Sequence, residues 1–295
     1  MLDPSSFAYD QQAPLALEIL AERVQDGALI QDITYASPHG GKVPAYLILP
    51  VQQQPQAGLI FGHWGEGDRT EFVDEAIVLT RLGFVSLCLD APSRRPAEYE
   101  PQGMQPQMQL QWIVDVRRGV DVLQETFSLP PEHVGYVGHS YGATFGGVVA
   151  GVEQRIRAFV LMAGWYAFSE LARTSAVPVL AEARNKFPAK VFAIYMDAMA
   201  PLDARHYISH AAPSHLFFQF ARNDAGVVAE DGQLYFELAS EPKQIAWYEN
   251  CGHEFNAQAR LERAIWLCEK LHLPRPSQEF LQLLERIPAP TPLES

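Results

Sequence analysis

Apolar residues along the chain fall into two recurring patterns. The runs GLIFG, FVSLCL, HVGYVGH, RAFVLM and HLFFQF are short and apolar without alternation, as strands buried on both faces are. Between them, near residues 68–82, 107–127, 143–152, 230–240 and 254–272, lie longer stretches that read as helices. The first of these opens on Asp68 and Glu71, spaced as a capping box, and Gly83 stands where it would end. Strand followed by helix, repeated, predicts an α/β architecture. Its core is a mostly parallel central sheet of about eight strands with helices on both faces.

The two ends and one internal stretch depart from this alternation. Residues 13–25, with Leu15, Leu17, Ile19, Leu20 and Val24 as apolar positions, read as a helix within an N-terminal helical segment over residues 1–27. ALIQDITYA and VPAYLILP, separated by Ser37-Pro38-His39-Gly40-Gly41, read as a hairpin or an antiparallel pair. From about residue 169 to 205 the chain is aromatic-rich and helix-like, predicting a small lid-like insertion over the sheet edge. KQIAWYE is a further strand, and residues 286–295 read as a loose tail. No repeat or linker divides the chain, so residues 1–295 read as one domain.

Composition narrows the class. Of 295 residues, 48% are hydrophobic and 19% charged, as in an ordinary globular protein. The 35 acidic and 22 basic side chains leave a net charge of −13, which argues against nucleic acid or an anionic membrane as the main partner. The N-terminus lacks the basic and apolar regions of a signal peptide, and no apolar run has membrane-spanning length. Cys88, Cys251 and Cys268 are odd in number and far apart, which fits a reducing compartment. The expectation is a cytoplasmic protein; the early helix and the tail leave room for a homodimer.

The chemistry is concentrated in GHSYG, Gly138 to Gly142, which follows an apolar strand and precedes a small-residue helix. Such a turn holds Ser140 in a strained backbone conformation above the sheet, and the flanking glycines let strand and helix pass closely. A serine hydroxyl is a weak nucleophile, so a base must take its proton and an acid must orient that base. In this arrangement the acid and then the histidine follow the serine along the chain. His253 lies after KQIAWYE, at a strand's carboxyl end, whereas His272 in KLHLP suits capping or packing. Asp224 follows HLFFQFA and is the candidate acid; Glu230, Asp231 and, more remotely, Glu170 are the alternatives. An oxyanion also needs two N–H donors. Tyr141, directly after the serine, and Trp64 in the GHWGEG loop are the candidates, with His63 and His139 supporting their loops through hydrogen bonds.

With these residues placed, the chain resembles the α/β-hydrolase superfamily, and within it the dienelactone-hydrolase-like and acetyl-xylan-esterase-like branch. The matching features, VPAYLILP, GHWGEG, FVSLCLDAP, GHSYG, HLFFQFARND and CGHEF, run through nearly the whole chain. The resemblance implies the α/β-hydrolase fold and a serine esterase mechanism. Dienelactone hydrolases proper carry a cysteine where this chain has Ser140.

Other features carry weaker signals. Arg94 and Arg95 follow FVSLCLDAP at the same sheet end and are candidates to hold a substrate carboxylate, the alternative being a solvated pair. His206 and His210 are four apart but lack the glutamate of HExxH, so no metal site is expected. Phe187, Phe192, Tyr195, Met196 and Met199 suit either a roof over an acyl pocket or core packing of the insertion. Cys251, near His253, reads as a buried small residue, and no phosphate-binding glycine motif or cofactor is expected. The leading reading is hydrolysis of a small-molecule ester, lactone or thioester. The alternatives are a peptidase or C–C-bond hydrolase on the same triad, or a non-catalytic ligand-binding homologue.

Overall fold

The structure is a computed structural model, and residues 1–96, 99 and 107–288 are described. Nine strands form one sheet in the order β1-β2-β3-β5-β4-β6-β7-β8-β9. They are β1 (Glu18–Gln25), β2 (Ala28–Ala36), β3 (Lys42–Pro50), β4 (Ala57–Gly62), β5 (Phe84–Leu89), β6 (Val134–His139), β7 (Ala158–Met162), β8 (His215–Ala221) and β9 (Lys243–Tyr248). The pairs from β1 to β5 by way of β2 and β3 are antiparallel, and all the others are parallel. Every residue of β4, β5, β6 and β7 is buried, the burial their alternation-free sequences anticipate.

The first strand corrects the sequence reading. Residues 18–25 are not helical; they form an edge strand antiparallel to β2, with Gln25 opposite Ala28 and Val24 opposite Leu29. Asp26 and Gly27 form the two-residue loop, with φ of 52° and 86°. Positive φ at both positions matches the twist of a tight hairpin, and Asp-Gly is a favoured sequence for it. All eight residues of β1 are exposed, so their apolar spacing reports no core face. This strand makes the sheet nine rather than eight.

The helices are α1 (Val73–Leu79), α2 (Gln107–Phe127), α3 (Tyr141–Val152), α4 (Phe168–Thr174), α5 (Pro178–Asn185), α6 (Ala189–Met199), α7 (Ala229–Leu238), α8 (Ala257–Lys270) and α9 (Gln278–Glu285). α2, α3 and α7 share one face of the sheet: α2 packs on α3, and the Tyr235 hydroxyl of α7 donates to the Ala143 carbonyl of α3. α1, α8 and α9 cover the other, where Arg263 of α8 reaches the buried Glu75 of α1. α9 has no counterpart among the helices read from the sequence. Helices α4, α5 and α6 fill the stretch between β7 and β8.

The expected capping box is also corrected. α1 begins at Val73, Asp68 Oδ1 accepts the Thr70 N–H, and the Glu71 side chain turns away from the helix end. Gly83, at φ 87°, ends the following 3-10 turn as expected. Of the tail, Ile287 is held by Arg260, which donates to its carbonyl; residues 289–295 lie outside the described residues.

The strand order reverses about β4, because β5 lies on one side of it and β6 on the other. Such a switch point opens a crevice at the carboxyl ends of the strands. The loop after β4 and the turn after β6, which carries Ser140, meet there. The packing that supports this turn is tight along α3. A Cβ on Gly151 would fall inside contact distance of the Tyr207 carbonyl, with the carbonyl carbon 2.8 Å away. Backbone cannot move aside as a side-chain tip can. Gly151→Ala should therefore destabilise the fold by about 1–3 kcal/mol, read as a lower urea midpoint at unchanged m-value.

Candidate active site

The turn that carries Ser140 is built by the close approach of three backbone segments. Ser140 sits at φ 52° and ψ −102°, a positive φ that costs a non-glycine residue of order 1–3 kcal/mol. Its N–H donates to the Met162 carbonyl at 2.8 Å, and its carbonyl accepts from the Thr144 amide and hydroxyl. A Cβ on Gly138 would lie 2.5 Å from the Gly142 carbonyl, and one on Gly142 would overlap the Gly62 carbonyl. The two glycines of the motif are thus required by contact. Tyr141 is the first residue of α3, so its amide belongs to the turn that has no intrahelical acceptor.

Asp224 lies in the turn after β8, with 1% of its side chain exposed. Its Oδ1 accepts the Gly226 N–H at 2.7 Å and the Val227 N–H at 3.2 Å, and its Oδ2 faces His253 Nδ1 at 2.9 Å. The carboxylate therefore fixes the ring with Nδ1 protonated and leaves Nε2 as the basic nitrogen. His253 is brought to the elbow from a loop between β9 and α8. Its carbonyl accepts from Nε2 of His139, the residue before Ser140, and the two imidazole rings lie 4.8 Å apart. The other acid candidates lie elsewhere: Glu230 and Asp231 in the first turn of α7, Glu170 paired with Arg205. His272 follows α8, exposed and 3.9 Å from Glu132.

Trp64 follows β4, but its N–H is donated to Glu71 Oε2 at 2.7 Å. Of the two amides expected to bind an oxyanion, this one already has an acceptor. His63 holds the other side of the same residue. Its Nε2 accepts the Ala91 N–H at 2.9 Å, so the proton is on Nδ1, which donates to the Trp64 carbonyl at 2.6 Å. Burial keeps His63 below the usual histidine value, consistent with this neutral form.

Arg94 and Arg95 part company. Arg94 is exposed and donates to the Gly65 carbonyl at 2.9 Å. Arg95 is no solvated loop residue; it is buried against Asp115, 2.5 Å away, with both side chains fully inaccessible. Its charge is committed to that partner, which removes it as a clamp for a substrate carboxylate. Burial pushes the Asp115 carboxyl up, and Arg95 opposes that.

His206 and His210 fall on separate 3-10 turns, Ala204–His206 and Ile208–His210, so their spacing does not place them on one helix face. Phe192, Met196 and Met199 pack in the core, Phe187 is exposed, and the Tyr195 hydroxyl accepts from Gln109 at 3.3 Å. Cys251 is buried, and burial pushes its thiol up. Two residues given no role at the site by the sequence also matter. Trp165, after β7, donates its indole N–H to the Gly226 carbonyl and its amide to the Thr144 hydroxyl, joining the Asp224 turn to the elbow. Glu71 is the other. Trp165 stands in no motif, Glu71 reads locally as a cap, and each reaches at least one partner more than 60 positions away in sequence.

No family model matches the chain, and no curated protein matches it. Its shape, by contrast, has solved relatives. Acetyl xylan esterase from Paenibacillus sp. R4 superposes with a TM-score of 0.72 at 16% identity, over 87% of this chain and 89% of that one. Acetyl xylan esterase 1 from Thermoanaerobacterium sp. JW/SL YS485 gives 0.71 at 14% identity, over 90% and 91%. The α/β hydrolase GrgF from Penicillium sp. sh18 gives 0.63 at 16% identity, over 82% and 99%. The chain has the α/β-hydrolase fold. Among its structural relatives are acetyl xylan esterases, the branch its motifs resemble.

The two arginines predict different behaviour. Arg95→Ala leaves Asp115 buried without a partner and should cost about 3–5 kcal/mol of stability by urea denaturation. Arg94→Ala should stay within about 0.5 kcal/mol. Neither should make the protein discriminate between anionic and neutral substrates.

Proposed function

We propose that the protein is a serine hydrolase acting on a small ester, lactone or thioester. Ser140 Oγ attacks the substrate carbonyl carbon while His253 Nε2 takes its proton. Asp224, hydrogen-bonded at Nδ1, stabilises the imidazolium that forms. The Tyr141 amide, at the positive end of α3, donates to the oxygen that becomes negative. Collapse of the tetrahedral intermediate expels the alcohol or thiol, which takes the proton from His253. Water, activated by the same nitrogen, then attacks the acyl group on Ser140 and releases the acid.

The observation that carries this reading is the His253–Asp224 pair, tied through the His253 carbonyl to the residue before a serine at positive φ. The pair leaves one ring nitrogen basic, and the strained backbone sets the serine at the sharp reversal between β6 and α3. The esterases among the structural relatives support ester hydrolysis as the reaction class. The loop after β4 and the aromatic rings of Trp112, Tyr141 and Phe145 lie around the same turn.

Ser140→Ala should abolish hydrolysis of short p-nitrophenyl esters and covalent labelling by a fluorophosphonate, with an unchanged melting temperature. Losing a nucleophile of this kind costs several orders of magnitude in rate. Retained activity above about a tenth of wild type would exceed what binding alone explains and would remove Ser140 from the mechanism. Asp224→Asn should lower kcat by roughly a thousand-fold or more, because an amide favours the wrong tautomer of His253. Glu230→Gln and Asp231→Asn should leave it within about two-fold, and a large loss in either would reassign the acid.

A further inference from the structure

The Glu71 carboxylate uses its two oxygens separately. Oε2 accepts the Trp64 N–H at 2.7 Å, and Oε1 faces His139 Nδ1 at 2.6 Å. His139 continues the chain, donating from Nε2 to the His253 carbonyl at 2.8 Å. One run of hydrogen bonds therefore joins the loop after β4, the nucleophile turn and the loop carrying His253. These partners stand 7, 68 and 114 residues apart in sequence. Solvent hardly competes: the Glu71 side chain is 10% exposed and that of His139 6%.

Both ring nitrogens of His139 face oxygens that act as acceptors. A doubly protonated ring serves both, and the Glu71 carboxylate supplies the balancing charge. The far side of Trp64 is held as well, by His63. Its peptide orientation is thus set from both ends.

We propose that Glu71 is a positioning residue that holds the loop after β4 and, through His139, the backbone of His253 in register with Ser140. The inference rests on the serine-hydrolase reading above. Every attachment point of the run lies within one residue of a group in that mechanism or in the loop expected to face the substrate carbonyl. A fold anchor would work as well anywhere along α1, whereas this carboxylate, in the turn before that helix, reaches to these points. Register errors of about 1 Å at a reacting centre cost as much as a hundred-fold in rate while leaving ground-state binding alone. The replacement that keeps the run is glutamine. Its carbonyl can accept the Trp64 N–H while its amide donates to a neutral His139 Nδ1, and Nε2–H still reaches His253.

The test compares Glu71→Ala, Glu71→Gln, His139→Gln and the double variant Glu71→Ala/His139→Gln. Active serine is counted by fluorophosphonate labelling, and rates are measured well below each melting temperature. Glu71→Ala should lower kcat on a p-nitrophenyl ester by about ten- to a hundred-fold with KM within about three-fold. Glu71→Gln should recover to within about five-fold of wild type, and the double variant should fall no lower than the worse single, because the two groups act in series. If Glu71→Ala does not fold, the same prediction is read from His139→Gln. The proposal is overturned if kcat of the alanine variant stays within two-fold of wild type. A loss confined to KM, a glutamine variant as slow as alanine, or additive losses in the double variant would each overturn it too. Ser140→Ala in parallel separates the two readings. Residual activity there removes the serine mechanism itself, whereas a dead Ser140→Ala beside an unaffected Glu71→Ala removes only the role of Glu71.

Discussion

The contact between the Gly62 and Gly142 backbones governs the rest of the structure. β4 approaches the start of α3 so closely that Gly142 has no room for a Cβ, and Gly138 has none against Gly142 itself. That approach forces the chain to reverse from β6 into α3 within one residue, and Ser140 takes the positive φ. The strain is offset by bonds that the reversal itself creates: Ser140 N–H to Met162, Gly142 N–H to His63, and the Tyr136 hydroxyl to the Gly142 carbonyl. These bonds are intersegment rather than local. The conformation of the serine is therefore a property of the packed sheet and helix, not of the pentapeptide.

The crevice above this contact is framed by loops that would be mobile alone. Each is tied to a neighbour at a defined atom. Asp224 is held by two amides of its own turn, and that turn is held by the Trp165 indole. Thr144, one turn into α3, donates to the Ser140 carbonyl and accepts from Trp165. The loop after β4 is clamped by His63 and Glu71. A site assembled this way can hold its groups within the tolerance chemistry demands, because rigid elements carry the loops and hydrogen bonds fix their rotation.

Buried charge supports the same frame. Glu75 of α1 faces Arg263 and Arg260 of α8, and Arg95 meets Asp115 of α2. Near the N-terminus, Arg155 bridges Glu153 and Asp121. Each pair lost water on burial, so its attraction was partly spent against desolvation, and removing one partner costs more than the pair contributes. The ion pairs therefore restrict how helices can dock rather than supplying much net stability. They also explain why an acidic chain can bury arginines without exposing a basic surface.

Much of this was legible in the sequence because it depends on short-range pattern. The parallel core strands announced themselves by unbroken apolar runs, which only a two-sided burial requires, and α2 by a long amphipathic stretch. Ser140, Asp224 and His253 could be named as candidates from the elements they follow, since chain order and strand ends reduce the choices to a few residues. β1 was misread because an exposed edge strand has no core face, so its apolar residues mimic helical spacing by accident; the Asp26-Gly27 turn held the better signal. Arg95 looked like a loop residue because nothing local shows that Asp115, 20 positions away, would bury with it. Glu71 looked like a capping residue for the same reason. Local spacing determines what a side chain can do within its own element. Which of its possible partners it meets is decided only when distant segments pack, because desolvation and hydrogen-bond geometry exist only in the folded chain.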